Sequence, residues 1–353
     1  MVHVWVRAEE RANEKRAPLT PSGARELLEA GFEITVESNE ARVTTDDGYA
    51  NVGCRIADAG SWRNAPADAI VLGLKELPED GTALPHTHIM FGHAFKGQHG
   101  ADAFLSRFAE GGGVLLDLEY LVDENGRRKA AFGYWAGFAG AAVSLLAWAA
   151  QRNANICPPV GVFDSADEMV AEVRKALNGA APRAIVIGAL GRVGTGARDL
   201  CRRAQVATTD WDIAETSRGA PFPEILDHDL FLNCILANPG CPVFVPTSAL
   251  NAKRRLSVVG DIACDPGSDY NPIPVYDTVT SWTKPVVRVH DDPVLDVMAI
   301  DNLPSLLPAE SSDDFADQLL PMLKQLGDPS NAVWARAKQT FQTHIDRIQK
   351  DAK

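Results

Sequence analysis

The chain has 353 residues, enough for about two domains with substantial cores. Its 34 basic against 47 acidic residues leave a net charge of −13, which argues against nucleic acid or an anionic membrane as the partner. Six scattered cysteines with no C-x-x-C pair suit buried thiols in a reducing compartment better than a disulfide scaffold, and the N-terminal stretch lacks signal-peptide character, so a cytoplasmic location is expected.

In chain order, His3–Arg7 alternates as an opening strand. Thr20 is placed as an N-cap, Pro21 as the first helical residue and Gly31 as the stop of a helix, with Phe32–Val36 the next strand. Arg16 lies in the loop before that helix, where open α/β sheets bind ligands; a surface arginine is the competing reading. Ala69–Leu74 is a compact apolar run of the buried parallel type and ends in Lys75-Glu76. A lysine at such a mouth would lose affinity for its proton if desolvated, making it a candidate proton carrier or Schiff-base former. Ile89–Phe91 is a further short strand, with His93 and Lys96 after it. Lys75 and His93 would then bring an amine and an imidazole to one crevice, a pair suited to acid–base chemistry near neutral pH. A metal bound by His86, His88, His93 and His99 is disfavoured, because no carboxylate or cysteine joins them at ligand spacing.

Gly113–Leu118 is another buried strand, followed by Glu119 and a polar turn with Arg127 and Arg128. Ala130–Ala150 carries no charged side chain and approaches the ~20 residues of a membrane span. Its Gly and Ala content, with Gly137 and Gly140 one turn apart, predicts a buried interdomain helix instead. Ser165–Leu177 is an amphipathic helix.

The run AIVIGALGRVGTGARDL, Ala184–Leu200, has the strand–glycine turn–helix order that cradles a pyrophosphate on backbone N–H groups and a helix N-terminus. Against the pattern G-x-G-x-x-G its three positions are Ala189, Gly191 and Gly194, with Gly188 just before. Asp212 stands where an acidic residue would hold the ribose hydroxyls of NAD, and Asp210 competes with it. No arginine directly follows Asp212 to hold a 2′-phosphate, though Arg218 is six residues on. Leu230–Leu236 and Leu256–Ile262 are later strands. Ile300–Pro308 is an apolar loop placed to reach a bound ligand, and Val333–Ile348 a final helix.

These residues, in particular RAPLTP, SWRNAPADAIVLGLKELP, HIMFGHAFKGQ, LLDLEYLVDENGRR, FGYWAGFAGA, IGALGRVGTGA, WDIAETSRGAPF, NPIPVY and IDNLPSLLP, together resemble saccharopine dehydrogenase of the NAD-dependent, lysine-forming type, within the alanine dehydrogenase/transhydrogenase superfamily. The resemblance runs from His3 to about Arg336. It implies an α/β fold of two doubly wound, Rossmann-like domains with an active-site cleft between them. Residues 1–131 plus 333–353 would bind the amino-acid substrate, and residues 132–332 would bind NAD. It implies Lys75 and His93 as the acid–base pair, with Arg16, Lys96 and Arg128 holding substrate carboxylates and Glu14 and Gln98 nearby. Glu76 and Glu119 would tune the pair. Gly191, Arg192, Val193, Gly194, Asp212 and Asp301 would lie at the dinucleotide.

The implied partners are small molecules (saccharopine, lysine and 2-oxoglutarate), and a monomer is expected rather than a large oligomer. The resemblance also shows departures: Asn302, Ala309 and Val193 stand where fungal members have His, Arg and Cys. The last leaves Cys234 expected as a free thiol. An alanine dehydrogenase or another opine-type amino-acid dehydrogenase is the alternative.

Overall fold

Short apolar runs become the strands of two six-stranded sheets in the computed structural model, which describes residues 1–351; the last two positions of the expected 333–353 segment lie outside the described residues. The chain divides into one unit built from Met1–Ala131 with Ser311 onward, and a second from Phe132–Glu310.

The first unit contains β1 (His3–Val6), β2 (Glu33–Glu37), β3 (Arg55–Ala57), β4 (Ile70–Leu72), β5 (Thr87–Met90) and β6 (Val114–Asp117). All neighbours are parallel, in the order β3-β2-β1-β4-β5-β6. Helices α1 (Pro21–Glu29), α2 (Asp46–Asn51) and α3 (Ala101–Gly111) make the crossovers. The Thr20 side chain accepts the Gly23 N–H and Pro21 is the first helical residue, as their positions dictate. The chain leaves β1 toward β2 on one side and returns to β4 on the other, so the carboxyl ends of β1 and β4 flank the switch point, where open sheets form their crevice.

The second unit contains α4 (Gly133–Gln151), α5 (Ala166–Leu177), β7 (Arg183–Ile187), α6 (Arg192–Arg203), β8 (Ala207–Trp211), α7 (Ile213–Thr216), α8 (Pro223–Leu226), β9 (Leu230–Asn233), β10 (Val258–Asp261), β11 (Val287–Asp291) and β12 (Val294–Met298). Its sheet order is β11-β12-β10-β9-β7-β8, parallel except for the β11–β12 edge pair. Here the switch point lies between β7 and β9, beside the glycine turn.

The uncharged helix α4 is long and apolar enough to cross a membrane by length and composition. It lies within the second unit, with Phe138, Ala141, Val143 and Leu145 buried in that unit's core. A Cβ on Gly137 would overlap the Val193 carbonyl of α6, and one on Gly140 would come within 2.6 Å of Ile262. The glycines thus let α4 seat against α6 and the sheet, and the apolar sequence is that of a core helix.

One expected boundary differs. The break expected at 332/333 lies at 310/311, because α9 (Pro308–Leu323) docks largely on the first unit. Ser312 Oγ accepts the Ala17 N–H, Gln318 exchanges hydrogen bonds with Ala131, and Phe315 is buried beside Phe91. In the 300–308 segment Asp301 is exposed, while Leu303 and Leu306 on a 3-10 turn, and Leu307 just after it, are buried in the second unit's core. The final helix α10 (Ala332–Asp351) covers the first sheet, with Phe341 and Ile345 in its core.

Candidate functional site

In the first unit, Gly73 N–H donates to Ile89 O and Phe91 N–H to Leu74 O, extending the β4–β5 pairing beyond the strands proper. Lys75 and His93 therefore follow the last bonded residues of adjacent strands, at the same end of the sheet. The half-buried Lys75 has its proton affinity lowered by burial first and by Arg16 and Arg11 next, against the opposing charges of Glu14 and Glu76. His93 holds a left-handed backbone conformation (φ 48°), uncommon for a residue with a side chain. Its ring lies nearly parallel to Phe91, at 6.4 Å. Glu76 bridges the neighbourhood, with one oxygen 3.8 Å from His93 Nε2 and the other 3.8 Å from Arg11.

The expected anion-binding cations each meet a carboxylate of the protein. Arg16 grips Glu14 through two side-chain bonds of 2.8 and 2.6 Å, both residues being buried. Burial would raise the Glu14 carboxyl, but Arg16's hydrogen bonds and charge prevail and hold it below its usual range. Lys96 Nζ and Arg128 both donate to Glu119 Oε1, at 2.6 and 2.7 Å. The same contest lowers Glu119: burial raises it, and Lys96 and Arg128 outweigh the burial. Gln98 Oε1 accepts the Lys96 main-chain N–H, and Gln98, His93 and Glu76 line one cavity of about 690 Å³ with Phe104. His88 is no neighbour of His93's chemistry, being wholly buried between the rings of Trp62 and Phe108.

Sequence reasoning missed what supports Lys75 from below. Arg7 donates to the Lys75 carbonyl, and Glu9 accepts the Leu74 and Lys75 N–H groups at 2.6 and 3.0 Å. Arg7 and Glu9 are ion-paired at 3.4 Å with both side chains buried. The available signal was an R-x-E immediately after a buried strand at the switch point.

In the second unit, Gly188 (φ 86°) makes the sharp exit from β7 and lies against the Cys234 backbone, supplying the conformation that Ala189 could not. Gly191 is the N-cap of α6 with no side-chain cap bond, and Arg192 and Val193 open the helix. A Cβ on Gly194 would overlap Gly188 O and come within 2.6 Å of Ala189 Cα. This turn fits a pyrophosphate: backbone N–H groups at an uncapped helix start, closely packed because two positions lack a side chain.

Asp212 stands just past β8, where its carboxylate accepts the Leu190 N–H at 3.0 Å and the Ile213 N–H at 2.8 Å. Its competitor Asp210 is ion-paired to Arg198 at 2.6 Å. Arg218 lies over Trp211 and pairs with Glu224. Asp301 follows β12, and its charge reaches Cys264. Cys234 is a free thiol. Three large apolar side chains near this turn were not anticipated: Leu190, Ile213 and Leu236 are 78, 74 and 54% exposed. Apolar exposure clustered where three strands end suits a flat ring that would cover it.

The family model of the alanine dehydrogenase/PNT N-terminal domain matches residues 5–139. The chain is 45% identical over 364 residues to the saccharopine dehydrogenase (NAD+, L-lysine-forming) of Schizosaccharomyces pombe, covering 98% of this chain and 99% of that protein. It is 44% identical to the same-named protein of Yarrowia lipolytica, covering 98% of each. Among solved structures, an L-alanine dehydrogenase shares the fold, with a TM-score of 0.68 at 17% identity over 97% of this chain and 94% of that one.

Proposed function

The chain belongs to the family of NAD+-dependent, lysine-forming saccharopine dehydrogenases, and on that premise we propose that it converts saccharopine, NAD+ and water to L-lysine, 2-oxoglutarate and NADH, reversibly. The observation that carries the reading is Lys75, with lowered proton affinity, on the strand end adjacent to that of His93.

Saccharopine is a secondary amine between the ε-carbon of lysine and the α-carbon of a glutarate. Oxidation requires its nitrogen to be unprotonated. Burial and Arg16 shift Lys75 toward the neutral form, which is the form that can take that proton. The nicotinamide supplies the acceptor for the hydride that leaves the glutarate α-carbon. The resulting imine carbon must then gain water. His93 serves as the base that removes a proton from that water, and its imidazolium returns a proton to the lysine nitrogen as the carbinolamine collapses to ketone and amine. Glu76 stabilises the charged imidazole between these steps.

Arg16, Lys96 and Arg128 recognise the three substrate carboxylates. Glu14 and Glu119 keep these cations in place when no substrate is bound, and Glu14 with Glu76 opposes the positive field that depresses Lys75. The uncapped start of α6 holds the pyrophosphate, Asp212 the adenosine ribose, and Leu190, Ile213 and Leu236 the adenine. An acidic residue in Asp212's place favours NAD over a cofactor bearing a 2′-phosphate.

The test is NADH oxidation with lysine plus 2-oxoglutarate, run beside pyruvate plus ammonia and other amine and oxo-acid pairs. Turnover that requires both lysine and 2-oxoglutarate supports the proposal. Turnover with pyruvate and ammonia alone replaces it with an alanine dehydrogenase.

A further inference from the structure

Asp117 ends β6 with only 1% of its surface exposed, and its two carboxylate oxygens serve two different loops. Oδ2 accepts the Gly92 N–H at 3.2 Å, immediately before His93. Oδ1 accepts the Glu119 N–H at 2.8 Å, capping the 3-10 turn Leu118–Tyr120 from which Glu119 reaches Lys96 and Arg128. We propose that Asp117 is a positioning residue that fixes the His93 imidazole relative to the Glu119–Lys96–Arg128 cluster, through one rigid carboxylate bonded to the backbone of both loops. This rests on the reading of His93 as an acid–base group.

Three observations support it. First, His93 is in the left-handed region, so its conformation must be imposed by its surroundings. The Phe91 and Gly92 N–H bonds that lead into that turn, to Leu74 and Asp117, are the constraints. Second, the approach of residue 92 to β6 is too close for a side chain: a Cβ there would lie 2.6 Å from Leu115 and 3.2 Å from Asp117 Oδ2. Third, capping the 118–120 turn alone needs one acceptor, which serine or threonine supplies at less desolvation cost than a buried carboxylate.

Only a carboxylate offers two acceptor oxygens and no donor, so only it satisfies both N–H groups without opposing one of them. Burial, followed by repulsion from Glu119, pushes the Asp117 carboxyl up to about 6, while the two N–H bonds and Arg128 act to lower it. The charged form at neutral pH is thus kept against burial by the contacts that set the geometry. The charged groups acting on Asp117 are Glu119 and Arg128; those facing His93 are Glu76 and Glu119.

The test uses the full-length Asp117→Asn and Asp117→Ser variants. Measurements are kcat and KM for saccharopine, pH profiles, NADH binding, thermal melts, and NMR titration of the His93 imidazole in substrate-free protein, assigned with His93→Asn. In folded Asp117→Asn, kcat falls by up to about 10²-fold, as misplacement near an ångström produces, and the imidazole titration moves while NADH affinity stays. Asp117→Ser keeps an acceptor for Glu119 N–H only, so its KM stays near the wild-type value while its kcat remains low. The proposal is overturned if kcat, KM and the His93 titration match the wild type, or if both variants simply unfold. The His93 titration needs no turnover, so a wild type inactive toward saccharopine would fail the functional reading and leave this test intact.

Discussion

The carboxylate of Glu9 accepts the main-chain N–H of Lys75 at 3.0 Å, from a side chain buried against Arg7. The position of the amine on Lys75 thus depends on a charge pair at the end of the neighbouring strand. Arg7 completes the clamp on the Lys75 carbonyl, and Gly73 has no side chain because a Cβ there would lie 2.8 Å or less from the Arg7 guanidinium.

Glu9→Ala is expected to destabilise the protein by roughly 3–5 kcal/mol, since it leaves Arg7 as a buried charge without its partner and two N–H groups without an acceptor. Glu9→Gln, which retains one acceptor oxygen, should lose less. Urea unfolding monitored by tryptophan fluorescence measures both. A Glu9→Ala loss below ~1 kcal/mol would mean that water or a neighbour compensates the pair, at odds with its burial.

Lys75→Met should lower turnover by ~10²–10⁴-fold, the usual worth of a positioned acid–base group, with NADH binding retained. A second experiment tests the cause of its lowered proton affinity. After burial and Arg16, the contribution of Arg11 acts in the same direction, so Arg11→Gln removes a positive charge and raises the Lys75 pKa. Saccharopine oxidation needs neutral Lys75 and rises with pH through that pKa. The rising limb of its pH–rate profile should therefore move to higher pH in Arg11→Gln. A limb that stays or moves down would assign it to another group.

How much of this was legible in the sequence differs between the two units. The strand–turn–helix at Ala184–Leu200 was readable because glycine spacing reports backbone geometry directly, and Gly188's positive φ explains why Ala189 is tolerated in the pattern's first position. Lys75 and His93 were readable as polar residues ending apolar runs. Arg7, Glu9 and Asp117 were not, because each acts through main-chain groups far away in sequence, and only strand order brings them together. The roles of Glu14 and Glu119 were partly hidden for the same reason: composition reveals cations, but not which carboxylates already hold them. Helix α9 was missed because its opening proline lies in a segment that reads as an apolar loop around two prolines, although proline is well suited to a helix's first turn. The hairpin β11–β12 is an edge pair whose outer strand, Val287–Asp291, alternates over only five residues and buries none of them.

Gly194→Ala tests the pyrophosphate turn separately from the acid–base site. The added methyl would overlap backbone at Gly188 and Ala189, neither of which can rotate away as a flexible side chain would. The turn must open, and NADH affinity should fall by at least about tenfold, a loss of ~1.4 kcal/mol. Fluorescence titration with NADH reads this directly. Unchanged affinity would show that the dinucleotide does not depend on this turn.

The protein should lose stability on acidification through His88. Its ring is wholly buried, edge-on to Trp62 at 5.1 Å and Phe108 at 5.5 Å, with neither ring nitrogen hydrogen-bonded among the described residues. Burial first, then the charges of Arg7, His86 and Arg107, push its pKa down from 6.5 to about 3. The unfolded chain therefore binds a proton that the native state refuses between those values, and stability falls as pH drops below 6.5. Asp117 works in the opposite sense: burial raises it from 3.8 to about 6, so the native state gains relative stability as pH falls through that window. The His88 shift is the larger of the two, so their sum still disfavours the native state in acid. His88→Phe keeps a ring between Trp62 and Phe108 and removes the titration. Urea midpoints at pH 7.5 and 4.5 should then differ less in the variant than in the wild type, and equal differences would assign the acid sensitivity to other groups.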